Sequence, residues 1–360
     1  MNVFEAAQQR IERALTEFDY CYVSFSGGKD STVLAHLVHD IYPDVPLVFS
    51  NTGLEYPEIQ AFARKMGAEF IRPKMAFSDV ISKCGYPIIS KEVSEAIYFA
   101  RSINKENNKR RGDGFRSKLM GKMYADGTTD AKNKDTKKSM FNKTKWLPLC
   151  NETQFTIGSY CCRNMKENPL AKYEQQTKRR PYIATMAEES TRRTQSWINY
   201  GCNAFNATKP KSQPMSFWTE QDVLQFIVEN KIEIASVYGE ILAINQDGYM
   251  YNPMPGVECK LKCTGCKRTG CIFCGFGAHL EKESRFARLA KTHPKQYEYC
   301  LSGGQWVDNP KYDPAAQKMD GEWVNWNPKK IWVPSKKGLG MKKVFDDCNQ
   351  IYGKDFIKYE

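Results

Sequence analysis

The sequence predicts an α/β fold, a doubly wound and mostly parallel sheet with helices on both faces, followed by a Cys-rich segment and a small C-terminal appendage. Three observations predict it. Tyr20–Phe25 is a β-branched and aromatic run fit for a strand buried on both faces. It breaks into Ser-Gly-Gly-Lys-Asp-Ser, and from Ser31 onward Val33, Leu34, Leu37, Val38 and Ile41 take helical spacing. A second run, Pro46–Ser50, then ends in another loop, NTGLEYPE. Repetition of strand, turn and helix is the pattern of parallel sheets.

The elements follow in order. MNVFEAAQQRIERALTEF reads as an amphipathic helix carrying acids, without the apolar region of a signal peptide, so a cytoplasmic protein is expected. No run of about 18 apolar residues occurs, which excludes a helical membrane span from the expectations. Thirteen cysteines in a reducing compartment point to metal or catalysis more than to disulfides. Residues 1–255 are expected to form the α/β domain, 256–280 a Cys-rich metal segment, and 281–360 an aromatic and lysine-rich appendage. The four tryptophans Trp306, Trp323, Trp326 and Trp332 of that appendage suit a core better than base stacking.

Net charge is +12, concentrated between Arg101 and Lys145, where 14 Lys and Arg face 5 Asp and Glu. This window reads as an insertion at about 101–145. Either it contacts the phosphate backbone of a nucleic acid, with Phe115, Tyr124 and Phe141 available to stack, or it is a solvated loop.

The loop after the first strand carries the clearest chemistry. Small residues let backbone N–H groups approach an anion, and a helix N-terminus favours negative charge. Lys29 adds a cation, and Ser26 and Ser31 add hydroxyls. The spacing is not that of a Walker A loop. Ser26, Gly27, Gly28, Lys29, Asp30 and Ser31 instead resemble the pyrophosphate loop of the adenine nucleotide α-hydrolase superfamily. NTGLEYPE resembles the corresponding loop of sulfonucleotide reductases, the PAPS and APS reductase family, with Asn51 where an Asp is common; GYPIISKE at 85–92 and IATMAEESTRR at 183–193 resemble later segments.

That resemblance, of a type often carried on mobile elements, implies a set of roles. Asn51, Thr52, Gly53 and Glu55 would join the loop in holding nucleotide. Glu188, Glu189 and Arg193 would face a sulfate or phosphate, where an arginine fork suits an oxyanion; read alone, these residues with Arg192 are better taken as surface ion pairs at a helix start, and the company of the other motifs reverses that. Lys29, Asp30 and Arg193 are the expected catalytic residues. The substrate would be ATP, APS or PAPS, with Mg²⁺ as an accompanying ion. The vicinal pair Cys161 and Cys162, with Cys271 and Cys274, resembles the [4Fe–4S] ligand set of APS reductases. A zinc site drawn from Cys259, Cys263, Cys266, Cys271 and Cys274 is the competing assignment. Neither Cys300 nor Cys348 stands in the Glu-Cys-Gly-Leu-His context of the family's nucleophile.

The expected function is therefore that of a PAPS reductase-like enzyme, performing sulfonucleotide or sulfur-transfer chemistry, extending to ATP-dependent modification of a nucleic acid. The alternative is a metal-containing nucleic-acid-binding module that senses nucleotide without redox catalysis. Expected partners are the adenine nucleotide, a nucleic acid and a second copy of the chain, with no membrane.

Overall fold

The computed structural model describes residues 2–101, 109–124 (109–111 as backbone alone), 128, 139, 141–253, 259–314 and 326–360. The chain divides into two compact units, each built from two stretches of sequence: Met1–Lys74 with Met165–Cys271, and Met75–Asn164 with Ile272–Glu360.

The first unit is the mixed α/β layer structure the sequence predicts. Its six-stranded sheet runs in the order Glu69–Ile71, Leu47–Ser50, Cys21–Phe25, Arg180–Tyr182, Lys211–Ser212, Asn203–Ala204. All neighbours are parallel except the last pair, an antiparallel edge. The central strand Cys21–Phe25 is almost wholly buried, as a strand covered on both faces must be. Tyr22 packs its ring edge-on against Tyr173 at 5.1 Å, and its hydroxyl donates to Glu174 at 2.9 Å, so the polar end of the phenol is satisfied. Helix Val3–Glu17 starts on an Asn2–Glu5 capping box and buries Ala7, Ile11 and Ala14. Helix Lys29–His39 follows the central strand directly and buries Val33, Leu34, Leu37 and Val38, the positions its spacing predicts. A three-stranded antiparallel sheet, Lys260–Cys263, Ile241–Ile244 and Met250–Tyr251, completes the unit.

The second unit joins residues from both sides of the first. Strand Gly275–Phe276 pairs in parallel with Ile88–Ile89, and the Trp332 amide donates to the Gln154 carbonyl at 2.7 Å. These pairings tie 75–164 to the C-terminal segment, so the division does not follow the expected boundaries at 255 and 280: hydrogen-bonded pairing between distant stretches, not composition, decides it. Within this unit Arg101 donates to the carbonyls of Leu149, Cys150 and Phe155 and to the Thr153 hydroxyl, while its guanidinium lies 4.3 Å from the Trp326 ring centre. Trp326 and Trp332 spend their indole N–H groups on the carbonyls of Thr153 and Gly340, while Trp306 is exposed and Trp323 lies outside the described residues.

Much of the basic window lies outside the described residues. Its helix Lys109–Leu119 stacks Phe115 on Phe99, centroids 5.5 Å apart, and Lys118 and Lys143 both approach Glu92, at 3.6 and 3.5 Å. No described helix is long and apolar enough to cross a membrane.

Candidate functional site

Within the first unit, a cavity of about 500 Å³ opens at the end of the central strand. The strand stops at Phe25 and the helix begins at Lys29, so the loop between must reverse in three residues. Gly27 makes the reversal with φ +70°, and a Cβ there would stand 2.8 Å from Ile59 Cγ2; only glycine fits both the angle and the space. The loop is braced from within. Ser31 Oγ donates to the Gly28 carbonyl at 2.9 Å, accepts from the Ser26 amide at 3.2 Å, and lies 3.0 Å from Ser26 Oγ.

Lys29 is only 4% exposed. Its ammonium lies 3.2 Å from carboxylate oxygens of both Asp30 and Glu220. Burial alone would depress its pKa, but the Asp30 and Glu220 charges, with Tyr238 and the Asp30 hydrogen bond, raise it on balance, so the residue is held as a cation. Glu220 opens the helix Glu220–Glu229, and its amide donates to Glu188 Oε1 at 2.6 Å. Arg193, two residues into the helix Thr191–Tyr200, pairs with Glu189. Burial and then the nearby Arg268 charge lower the Arg193 guanidinium, and burial with Arg193 lowers Lys211. Arg193, Lys267 and Arg268 line the cavity together, a concentration of positive charge that an anion relieves.

Of the residues expected from sequence, Ser26, Gly28, Lys29, Asp30, Ser31, Glu188, Glu189 and Arg193 line this one cavity. Gly27, Asn51, Thr52, Gly53 and Glu55 are not among its lining residues. Glu55 is turned into its own loop, where its carboxylate accepts from the Thr52 amide at 3.1 Å and the Thr52 hydroxyl at 2.6 Å and approaches Lys166 at 3.6 Å. Asn51 accepts from the Gly53 amide at 3.1 Å, a turn that Asn makes as well as Asp. Sequence reasoning missed Lys166, Glu220, Tyr238, Lys267, Arg268 and Thr269, which line the same cavity. Only the run Lys267–Arg268 carried a local signal, two cations inside a cysteine-rich stretch. Burial raises the Cys263 thiol; Lys29 opposes the rise, and Glu220 and Asp30 add to it.

Among the described residues, no group of three or more His, Cys, Asp and Glu side chains is arranged to hold a metal ion. Cys271 closes the first unit, whereas Cys161, Cys162 and Cys274 belong to the second. Burial pushes the Cys274 thiol up and the Cys162 charge adds to this, against the Phe276 amide, Arg285 and Lys91. Cys300 and Cys348 are fully buried, and burial drives both thiols far up, the state of inert core cysteines.

Comparison with known proteins agrees with the strand–loop–helix reading. Residues 20–83 and 79–275 match the model of the phosphoadenosine phosphosulfate reductase domain. The chain belongs to that family. Among curated relatives, the phosphoadenosine 5'-phosphosulfate reductase of Buchnera aphidicola subsp. Acyrthosiphon pisum (strain Tuc7) is 32% identical over 105 residues, covering 28% of this chain and 43% of the relative. That of Alteromonas mediterranea is 40% identical over 57 residues, 16% of this chain and 23% of the relative. The chain thus spans less than half the length of the curated relatives it matches. A solved phosphoadenylyl-sulfate reductase from Candida auris, in a phosphate complex, aligns with 64% of this chain and 82% of its own, at 13% identity and a TM-score of 0.34.

Proposed function

We propose that the chain is a sulfonucleotide-acting enzyme that takes an adenine nucleotide of the PAPS or APS type into the cavity at the Ser26–Ser31 loop. The observation that carries this reading is the convergence of a buried Lys29 with Arg193, Arg268 and Lys267 on one cavity beside a glycine turn at a helix start. In this reading Lys29 and the loop amides neutralise the phosphates. Arg193 and Arg268 take the distal sulfate or phosphate, offering paired donors in a partly desolvated setting. Asp30 and Glu220 hold the Lys29 ammonium in place, so that little reorganisation is needed when charge develops on the nucleotide.

The carboxylates of Asp30, Glu188, Glu189 and Glu220 line the same cavity, which favours a second reading: ATP carried in with Mg²⁺, and sulfur transfer to an acceptor such as a nucleic acid. A triphosphate beside four carboxylates needs a cation between them. Titration calorimetry of PAPS, APS and ATP, each with and without Mg²⁺, separates the readings. Sulfonucleotide binding independent of Mg²⁺ supports the first, and ATP binding only with Mg²⁺ supports the second.

The finer cofactor proposal is a [4Fe–4S] cluster on Cys161, Cys162, Cys271 and Cys274, with a zinc ion drawn from Cys259, Cys263, Cys266, Cys271 and Cys274 as its rival. It rests on residue type alone, and no step above passes through it.

A further inference from the structure

The first amide of the helix behind the loop is already engaged. Lys29 N–H donates to the Tyr238 hydroxyl oxygen at 3.2 Å, and that hydroxyl lies 2.6 Å from Thr269 Oγ1. Tyr238 belongs to the short turn Ser236–Tyr238, far along the chain from the loop, and its side chain is buried. The same hydroxyl is the nearest side-chain atom, other than the loop's own Ser26 Oγ, to the face of Gly28: a Cβ there would sit 3.2 Å from it. The phenol oxygen thus occupies a position in front of a helix-start amide, beside a glycine, that is chemically suited to an anion oxygen.

The phenol is connected beyond the loop as well. The amides of Gly265 and Cys266 donate to the carbonyls of Tyr238 and Val237, at 2.8 and 2.9 Å. The backbone of Tyr238 is therefore fixed to the cysteine-bearing segment, while its hydroxyl ties Thr269 to the loop. Between these two attachments lie Lys267 and Arg268, which line the cavity.

We propose that the Tyr238 hydroxyl is an internal surrogate for an anion oxygen at the Lys29 amide, and a positioning residue for the Lys267–Gly270 segment: an oxyanion entering the loop takes its place and releases Thr269. The inference rests on the reading that the loop binds phosphates. It adds that binding must first break the Lys29–Tyr238–Thr269 chain, so occupancy of the loop is transmitted to the segment that carries Lys267 and Arg268. No covalent step is involved.

The probe is inorganic pyrophosphate, titrated calorimetrically into the full chain as wild type and as Tyr238→Phe. Removing the hydroxyl leaves the Lys29 amide without its acceptor, so the variant should bind pyrophosphate more tightly, by about two- to tenfold, the worth of one hydrogen bond. Equal or weaker binding by Tyr238→Phe, with wild-type binding intact, overturns the inference and leaves the loop reading standing. No pyrophosphate binding by either protein overturns both. Should Tyr238→Phe fail to fold, hydrogen exchange on the wild type decides the matter. Pyrophosphate should speed exchange at Thr269 and Gly270, and unchanged or slower exchange there overturns the inference.

Discussion

Lys29 Nζ lies 3.2 Å from Glu220 Oε1, an ion pair between the first residue of one helix and the first residue of another. The buried ammonium is in this way neutralised by carboxylates that an incoming phosphate must share it with. Removing Glu220's charge by Glu220→Gln should therefore tighten nucleotide binding by several-fold, because the competing carboxylate is gone while Lys29 keeps Asp30. Calorimetry with PAPS checks it, and weaker binding would show that Glu220 serves the ligand rather than competing with it.

Burial, and after it the Arg268 charge, lowers the Arg193 guanidinium. Arg193→Ala should lower affinity for a doubly anionic nucleotide by about ten- to a hundredfold, in the range of a charge-assisted hydrogen bond. Arg193→Lys should recover only part of this, since a point charge does not reproduce a fork. The dependence of affinity on ionic strength should flatten in the alanine variant; full recovery by lysine would argue for a purely electrostatic role.

Gly27 has φ +70° and a Cβ there would meet Ile59. Gly27→Ala should cost about 1–3 kcal/mol of stability through backbone strain and crowding, read as a lowered urea midpoint. A midpoint equal to that of the wild type would mean the loop relaxes freely.

His36, on the helix that follows the loop, has its pKa lowered by burial, with Asp40 opposing and His39 reinforcing the shift. A histidine held below its unfolded value is neutral in the fold, so its contribution is fully present above about pH 6.5 and is lost as pH falls through the lower folded value. The thermal midpoint should fall between pH 7.5 and 5 by less in His36→Gln than in wild type. An equal fall in both would assign the acid sensitivity to other groups.

Much of the fold was legible because its signals are local. A buried apolar run, a glycine turn and a 3.6-residue period specify the strand Cys21–Phe25, the loop and the helix Lys29–His39 without reference to the rest of the chain. Arg193 was legible for a similar reason: it sits in a short motif at a helix start, capped by Ser190. Glu220 and Tyr238 were not, since nothing near them in sequence marks a site and only packing within the first unit brings them to Lys29; Thr269 stands beside Lys267–Arg268, but its own link to the loop runs through Tyr238. The NTGLEYPE loop carried a readable motif whose carboxylate is spent on its own backbone, as the Glu55–Thr52 bonds demonstrate. The expected domain boundaries followed composition and missed the pairing of Ile88–Ile89 with Gly275–Phe276, a relation that no local pattern records.

The most direct measurement is the affinity of the full chain for PAPS, by titration calorimetry, in wild type and Lys29→Ala. The account predicts stoichiometric binding by the wild type. It predicts a loss of about tenfold or more in the variant, where Asp30 and Glu220 face the phosphates uncompensated. Equal affinity of the two proteins, with both folded by circular dichroism, would contradict it.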